Sequence, residues 1–403
     1  MQRSLLVPDV DAPPLPPSSA ILAKGFRPFF LAAAVFAAAI VPLWLLVVQG
    51  SVSSTRYLQP SIWHAHEMIF GFVVAVIAGF LLTAVGNWTQ RETVVGKPLL
   101  MLTSLWLAGR LAVTFSAALP RGLPAAIDLA FLPALTLGLA RPLIAAKNRR
   151  NFVMLAILGA LFLANLAVHL DALGLLPNGT ARRASLASID LILLMILLIS
   201  GRVFPMFTRN ATGVQSIRSL PRLDVACVVT MALLTVVSAA APGSRVGAGL
   251  AVLAGLVAAA RAAHWGTQYT LRAPLLWILH GGYAWLVVGL LLRGAAGLGA
   301  PVAESLATHA LTVGAIGSVT LGMMARVSLG HTGRMLAAPA PMVGAFVAIN
   351  IAAMARVLGP LLAPERYLDS LMVAAVMWAI AFVMFVFVYA PFLFRPRMDG
   401  RPG

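Results

Sequence analysis

Charge is the scarcest property of this sequence. Only 10% of its 403 residues are Asp, Glu, Lys or Arg. A soluble domain carries roughly 25%, so these residues cannot clothe a water-facing surface. Acid is scarcer than base, with 12 Asp and Glu against 29 Lys and Arg. The single cysteine, Cys227, excludes a disulfide within the chain and every Cys-based metal site. Any metal must therefore be held by His, Met, carboxylate or backbone. The net charge of +17 does not indicate a nucleic-acid partner, because no basic stripe is interleaved with aromatics. Lys and Arg concentrated in short loops are instead what orients helices in a membrane.

What fills the chain is apolar: 61% of residues are hydrophobic and the mean hydropathy is +0.94. Runs near 29–48, 62–85, 99–117, 125–144, 152–172, 186–204, 222–240, 247–263, 274–293, 303–325, 340–362 and 368–393 mostly reach the ~20 residues that cross a bilayer. They predict an all-α membrane protein of about twelve transmembrane helices, its polytopic domain covering 29–393. Residues 1–28, with Pro8, Pro13, Pro14, Pro16 and Pro17, are expected to form a disordered cytoplasmic tail. Residues 394–403 are the expected cytoplasmic C-terminal tail. Alternating the sides from a cytoplasmic N-terminus puts twenty Lys and Arg in cytoplasmic segments and seven in outer ones. That bias predicts both termini in the cytoplasm.

Two further Arg, Arg110 and Arg356, fall inside spans. Each needs a partner or a polar cavity, and Asp128 and Asp190 are the intramembrane acids on offer. A four-helix spacing links spans two, six and ten. Span two reads His66-x4-Gly71-x7-Gly79 and span ten His309-x4-Gly314-x7-Gly322. Span six shares only the Arg-Val and Thr of the closing segment, Arg202-Val203 with Thr208 against Arg326-Val327 with Thr332. A weak repeat of four-helix units is one reading, since such repeats place sites at their interface. Helix packing by small residues is the other.

Histidine within a membrane marks an ion, proton or cofactor site. Trp63-His64-Ala65-His66-Glu67-Met68 offers two imidazoles, a carboxylate and a thioether. Imidazole suits iron, copper and zinc, and thioether favours copper(I). In a regular helix His64 and His66 point about 200° apart, so each serves a different partner unless His64 lies in an irregular turn. The spacing pairs His66 with His309, and two His facing across a bundle are what six-coordinate haem iron needs. Any haem is non-covalent, because no Cys-x-x-Cys-His occurs. Its propionates want Arg. Arg56 is the nearest outer candidate, and Arg202 or Arg326 serve if the haem lies on the inner side. His280 and His331 are candidate inner metal ligands, although helix-end capping explains that region equally well.

These residues resemble the NnrS family of bacterial membrane proteins. The resemblance rests on Lys24-Gly25-Phe26-Arg27-Pro28-Phe29-Phe30, on Trp63 to Met68 with Gly71, and on Gly201-Arg202-Val203-Phe204-Pro205 with Phe207-Thr208-Arg209-Asn210. It extends to Thr308-His309-Ala310 and to Met324-Ala325-Arg326-Val327-Ser328-Leu329-Gly330-His331-Thr332-Gly333. It implies a twelve-helix inner-membrane protein containing haem and copper, linked to denitrification and to relief of nitrosative stress, with nitric oxide as the small ligand. It supplies no reaction and no electron donor, so an enzymatic role stays open. The competing class is a membrane transporter of copper or another small solute, in which His and Met are translocation ligands. A Soret band separates the two.

Overall fold

A computed structural model describes residues 17–52 and 57–400 of the chain. Twelve long helices account for nearly all of them, with no strand among the described residues. They are α1 (Phe26–Val48), α2 (Pro60–Thr89), α3 (Gly96–Thr114), α4 (Leu123–Ala145), α5 (Phe152–Ala172), α6 (Thr180–Thr212), α7 (Pro221–Ala240), α8 (Arg245–Ala262), α9 (Pro274–Gly297), α10 (Glu304–His331), α11 (Ala340–Leu362) and α12 (Tyr367–Phe394). Each coincides with one predicted run. Eleven are long and apolar enough to cross a membrane; α3, with 19 residues, is the exception and buries Arg110. Helices suit this composition because every backbone N–H and C=O is satisfied within the segment, which lipid demands. Proline opens α2, α7 and α9, where its missing N–H has no partner to lose.

The two expected tails are partly ordered. Residues 17–22 form a short 3-10 turn and α1 begins at Phe26, with Phe26 and Arg27 fully buried. Arg27 Nη1 donates to the carbonyls of Leu393 and Arg395 at 2.7 and 2.8 Å, tying the start of the bundle to its end. At the other terminus the Met398 N–H donates to the Thr332 carbonyl at 3.1 Å. The rest of the expected N-terminal tail, residues 1–16, lies outside the described residues, as does Arg56.

Helices α2 and α10 form the centre of the bundle, with 83% and 78% of their apolar windows buried, against 17% for α7. Both are interrupted by a π-helical segment that starts immediately after the paired histidine, Glu67–Val73 after His66 and Ala310–Gly317 after His309. The repeat proposed from spacing thus has a structural counterpart in spans two and ten. Span six, α6, is a continuous 33-residue α-helix without it.

The paired glycines are where aromatic side chains meet these segments. A methyl at Gly71 would meet Phe36 at 2.5 Å, and one at Gly314 would meet Trp285 at 2.6 Å. The indole N–H of Trp106 on α3 donates to the Gly71 carbonyl at 3.0 Å, occupying an acceptor within the π segment. Such segments recur at functional sites because the extra residue re-aims neighbouring side chains.

Candidate functional site

The two histidines at the start of α2 look into different surroundings. His66 is fully buried among residues of α3, α4 and α5. His64 faces a cavity of about 310 Å³ between α1, α2, α6, α10, α11 and α12.

The buried cluster is built from polar groups on four helices and one loop. His66 Nδ1 lies 2.9 Å from Glu67 Oε1, and its Nε2 lies 3.0 Å from Asn165 Oδ1 and 3.3 Å from Asp128 Oδ2. His169 Nε2 is 2.9 Å from the same Asp128 oxygen, and its Nδ1 is 2.8 Å from the Tyr57 hydroxyl. Asn165 Nδ2 donates to Asp128 Oδ2 at 2.7 Å. Arg110 donates to Glu67 Oε1 at 2.8 Å and pairs closely with Asp128. The Arg110 requirement is therefore met by Asp128, as the sequence suggested, with Glu67 as a second acid. Tyr57, just outside the first turn of α2, has its phenol pushed up to about 12 by burial, so it remains a hydroxyl. His66, Asp128 and His169 each offer a ligand atom within 4.8 Å of the others, a spacing compatible with a metal ion.

The cavity presents a different chemistry. Its wall includes His64, Met68, His309 and Arg356, with Trp44, Phe72, Trp378 and aliphatic side chains around them. His64 stacks on Trp44 at 4.7 Å and 11°, and its buried Nδ1 has no partner among the described residues. His309 Nδ1 donates to the Ser305 carbonyl at 2.6 Å. That contact fixes the tautomer and leaves Nε2 as the basic nitrogen, as in most ligating histidines. Arg356 is 6% exposed, and its Nε and Nη1 have no partner among the described residues. The Tyr367 ring lies 5.7 Å from its guanidinium carbon. A buried guanidinium without an anion is costly, so this cavity is suited to a ligand that brings one.

The pairing expected from sequence is corrected here. His66 does not line the cavity with His309; His64 does, because His66 is turned into the α3–α5 cluster. Asp190 is taken by Arg293, whose Nη2 lies 3.2 Å away, and so is not the partner of Arg356. Arg202 and Arg326 sit at the far end of their helices from His309. Arg202 Nη1 donates to Asn151 Oδ1 at 3.0 Å, and Arg326 lies 3.7 Å over the Phe207 ring. Neither lines the cavity.

His280 and His331 are not brought together either. The hydroxyls of Thr208 and Thr267 each lie 2.9 Å from one ring nitrogen of His280. Thr208 already donates to the Phe204 carbonyl, so it accepts from His280 Nε2 and Thr267 donates to Nδ1. His331 packs on the Phe26 ring at 5.7 Å.

Sequence reasoning missed Asn165 and Tyr57 altogether and placed His169 only near the outer end of span five. Hydropathy carries no signal for Asn165 or His169, since α5 reads as one more apolar run, and Tyr57 lies in the segment before α2. A family model described as NnrS protein matches residues 20–397. No curated protein matches the chain.

Proposed function

The chain belongs to the NnrS family, and we propose that it is a haem- and copper-binding protein of the bacterial inner membrane, with both termini cytoplasmic, acting in nitric oxide metabolism or in protection from nitrosative stress. The observation that carries the cofactor reading is Arg356. Its buried guanidinium, with Nε and Nη1 unpartnered among the described residues, shares a mostly apolar cavity with two imidazoles, and haem is an apolar disc that brings carboxylates and takes imidazole ligands.

The residues fit the group. His309, held through Nδ1 by Ser305, would hold the iron through Nε2, and His64 would hold it as well or stand beside it where a gas could bind. Arg356 would hold a propionate. Met68 and the same imidazoles are also the soft donors that copper prefers. Bound haem would supply an iron that captures nitric oxide. The chain supplies a water-poor pocket within the membrane, where an apolar gas needs no polar entrance.

The transporter reading is less well supported. A second cavity shares Val73 and Ile192 with the first and continues along Phe30, Val76, Phe80, Met195 and Phe204, with no His, Asp or Glu in its wall. Purified protein decides between them. A Soret band with bound copper is expected, and its absence under haem-sufficient expression would favour transport.

A further inference from the structure

We propose that His66, His169 and Asp128 are the ligands of a buried transition-metal ion, at a site separate from the cavity and independent of whether the cavity holds haem. Three observations lead there.

The first is spacing. Metal–ligand bonds of about 2.0–2.2 Å place neighbouring donor atoms roughly 3 Å apart. Asp128 Oδ2 already lies 3.3 Å from His66 Nε2 and 2.9 Å from His169 Nε2, with Asn165 Oδ1 3.0 Å from His66 Nε2 as a fourth donor.

The second is the far side of each ring. A ligating histidine usually donates its other N–H to a carboxylate, carbonyl or hydroxyl, which sets tautomer and orientation. Here His66 Nδ1 faces Glu67, which Arg110 holds in turn, and His169 Nδ1 faces the Tyr57 hydroxyl. Both rings thus direct Nε2 at the shared carboxylate.

The third is charge. The ionisable groups in contact here are Tyr57, His66, Glu67, Arg110, Asp128 and His169. Two carboxylates, Glu67 and Asp128, share the single guanidinium of Arg110 in a site where His66, Glu67 and His169 are fully buried. Glu67 Oε2 also has no partner among the described residues. Carboxylates in excess of cationic side chains make a buried site favourable for a bound cation. Two imidazoles with one carboxylate suit iron, copper or zinc and not the all-oxygen preference of magnesium or calcium.

The test is metal analysis of the full-length protein, purified after growth with added iron, copper and zinc, beside a haem assay on the same samples. About one ion per chain is expected beyond haem iron and any copper at the cavity, namely an ion that survives loss of His309. His169→Gln and Asp128→Asn should lose that ion, and Asp128→Asn leaves Glu67 and Arg110 charge-balanced. His309→Ala and Arg356→Gln should keep it even where haem is lost, which separates failure of this proposal from failure of the cavity reading. Tyr57→Phe, changed outside the helices, should weaken the ion by about 10–100-fold in chelator competition. No ion beyond haem iron in the wild type would overturn the proposal and mean that the cluster balances its charge with a proton. Full retention in Asp128→Asn, or unchanged affinity in Tyr57→Phe, would overturn it as well.

Discussion

His64 and His66 stand two residues apart on one helix and serve different sites, His64 stacked on Trp44 at the cavity wall and His66 bonded to Glu67 and Asn165 in a closed cluster. The π segment that begins at Glu67 lies directly under this divergence. A helix that presented both rings to one face could not build both sites. The prediction is a split phenotype. His64→Ala should change the haem, by lower retention where His64 holds the iron or by a shifted Soret band where it stands beside an open position, and leave the second metal in place, whereas His66→Gln should lose that metal and keep the haem. Haem and metal content measured on the same preparations checks it.

Arg110 is held by two carboxylates inside the bundle. Its replacement by Leu removes the cation and leaves both acids buried, a change that costs about 3–5 kcal/mol. Arg110→Leu should therefore unfold at markedly lower denaturant than wild type in detergent. Glu67→Gln in the same chain should recover a substantial part of the loss. Tryptophan fluorescence during denaturant titration reads both.

The glycines of the repeat predict a packing defect. Gly71→Ala drives a methyl against Phe36, and Gly314→Ala drives one against Trp285. Overpacking of this kind costs about 1–3 kcal/mol. Each variant should lower the unfolding midpoint, and Phe36→Leu should rescue Gly71→Ala but not Gly314→Ala.

Orientation follows from the basic loops. A fluorescent-protein fusion at the C-terminus should be bright and a periplasm-dependent phosphatase fusion inactive, since the Lys and Arg bias predicts that end in the cytoplasm. The opposite pattern would overturn the proposed orientation of the termini.

All twelve helices were legible in the sequence because lipid imposes one demand, a long apolar run, which hydropathy reads directly. The divergence of His64 and His66 was legible too, from the helical period alone. Partner choice was not. Asp128 and Asp190 are the intramembrane acids on offer to Arg110 and Arg356, yet Arg293 at the end of its run takes Asp190 and leaves Arg356 Nε and Nη1 without a partner among the described residues. Likewise His66 and His309 share a spacing and a following π segment, but neighbouring helices decide where each ring points. Asp128, Asn165 and His169 meet His66 through the packing of α4 and α5 against α2, a tertiary arrangement that no local pattern records.

The most direct test of the central claim is the optical spectrum of detergent-purified protein, wild type beside Arg356→Gln and His309→Ala. A cofactor cavity predicts a Soret band in the wild type that falls at least tenfold in His309→Ala and is clearly weakened in Arg356→Gln. A wild-type preparation without haem under haem-sufficient expression, or a band of undiminished intensity and unchanged position in both variants, would contradict it.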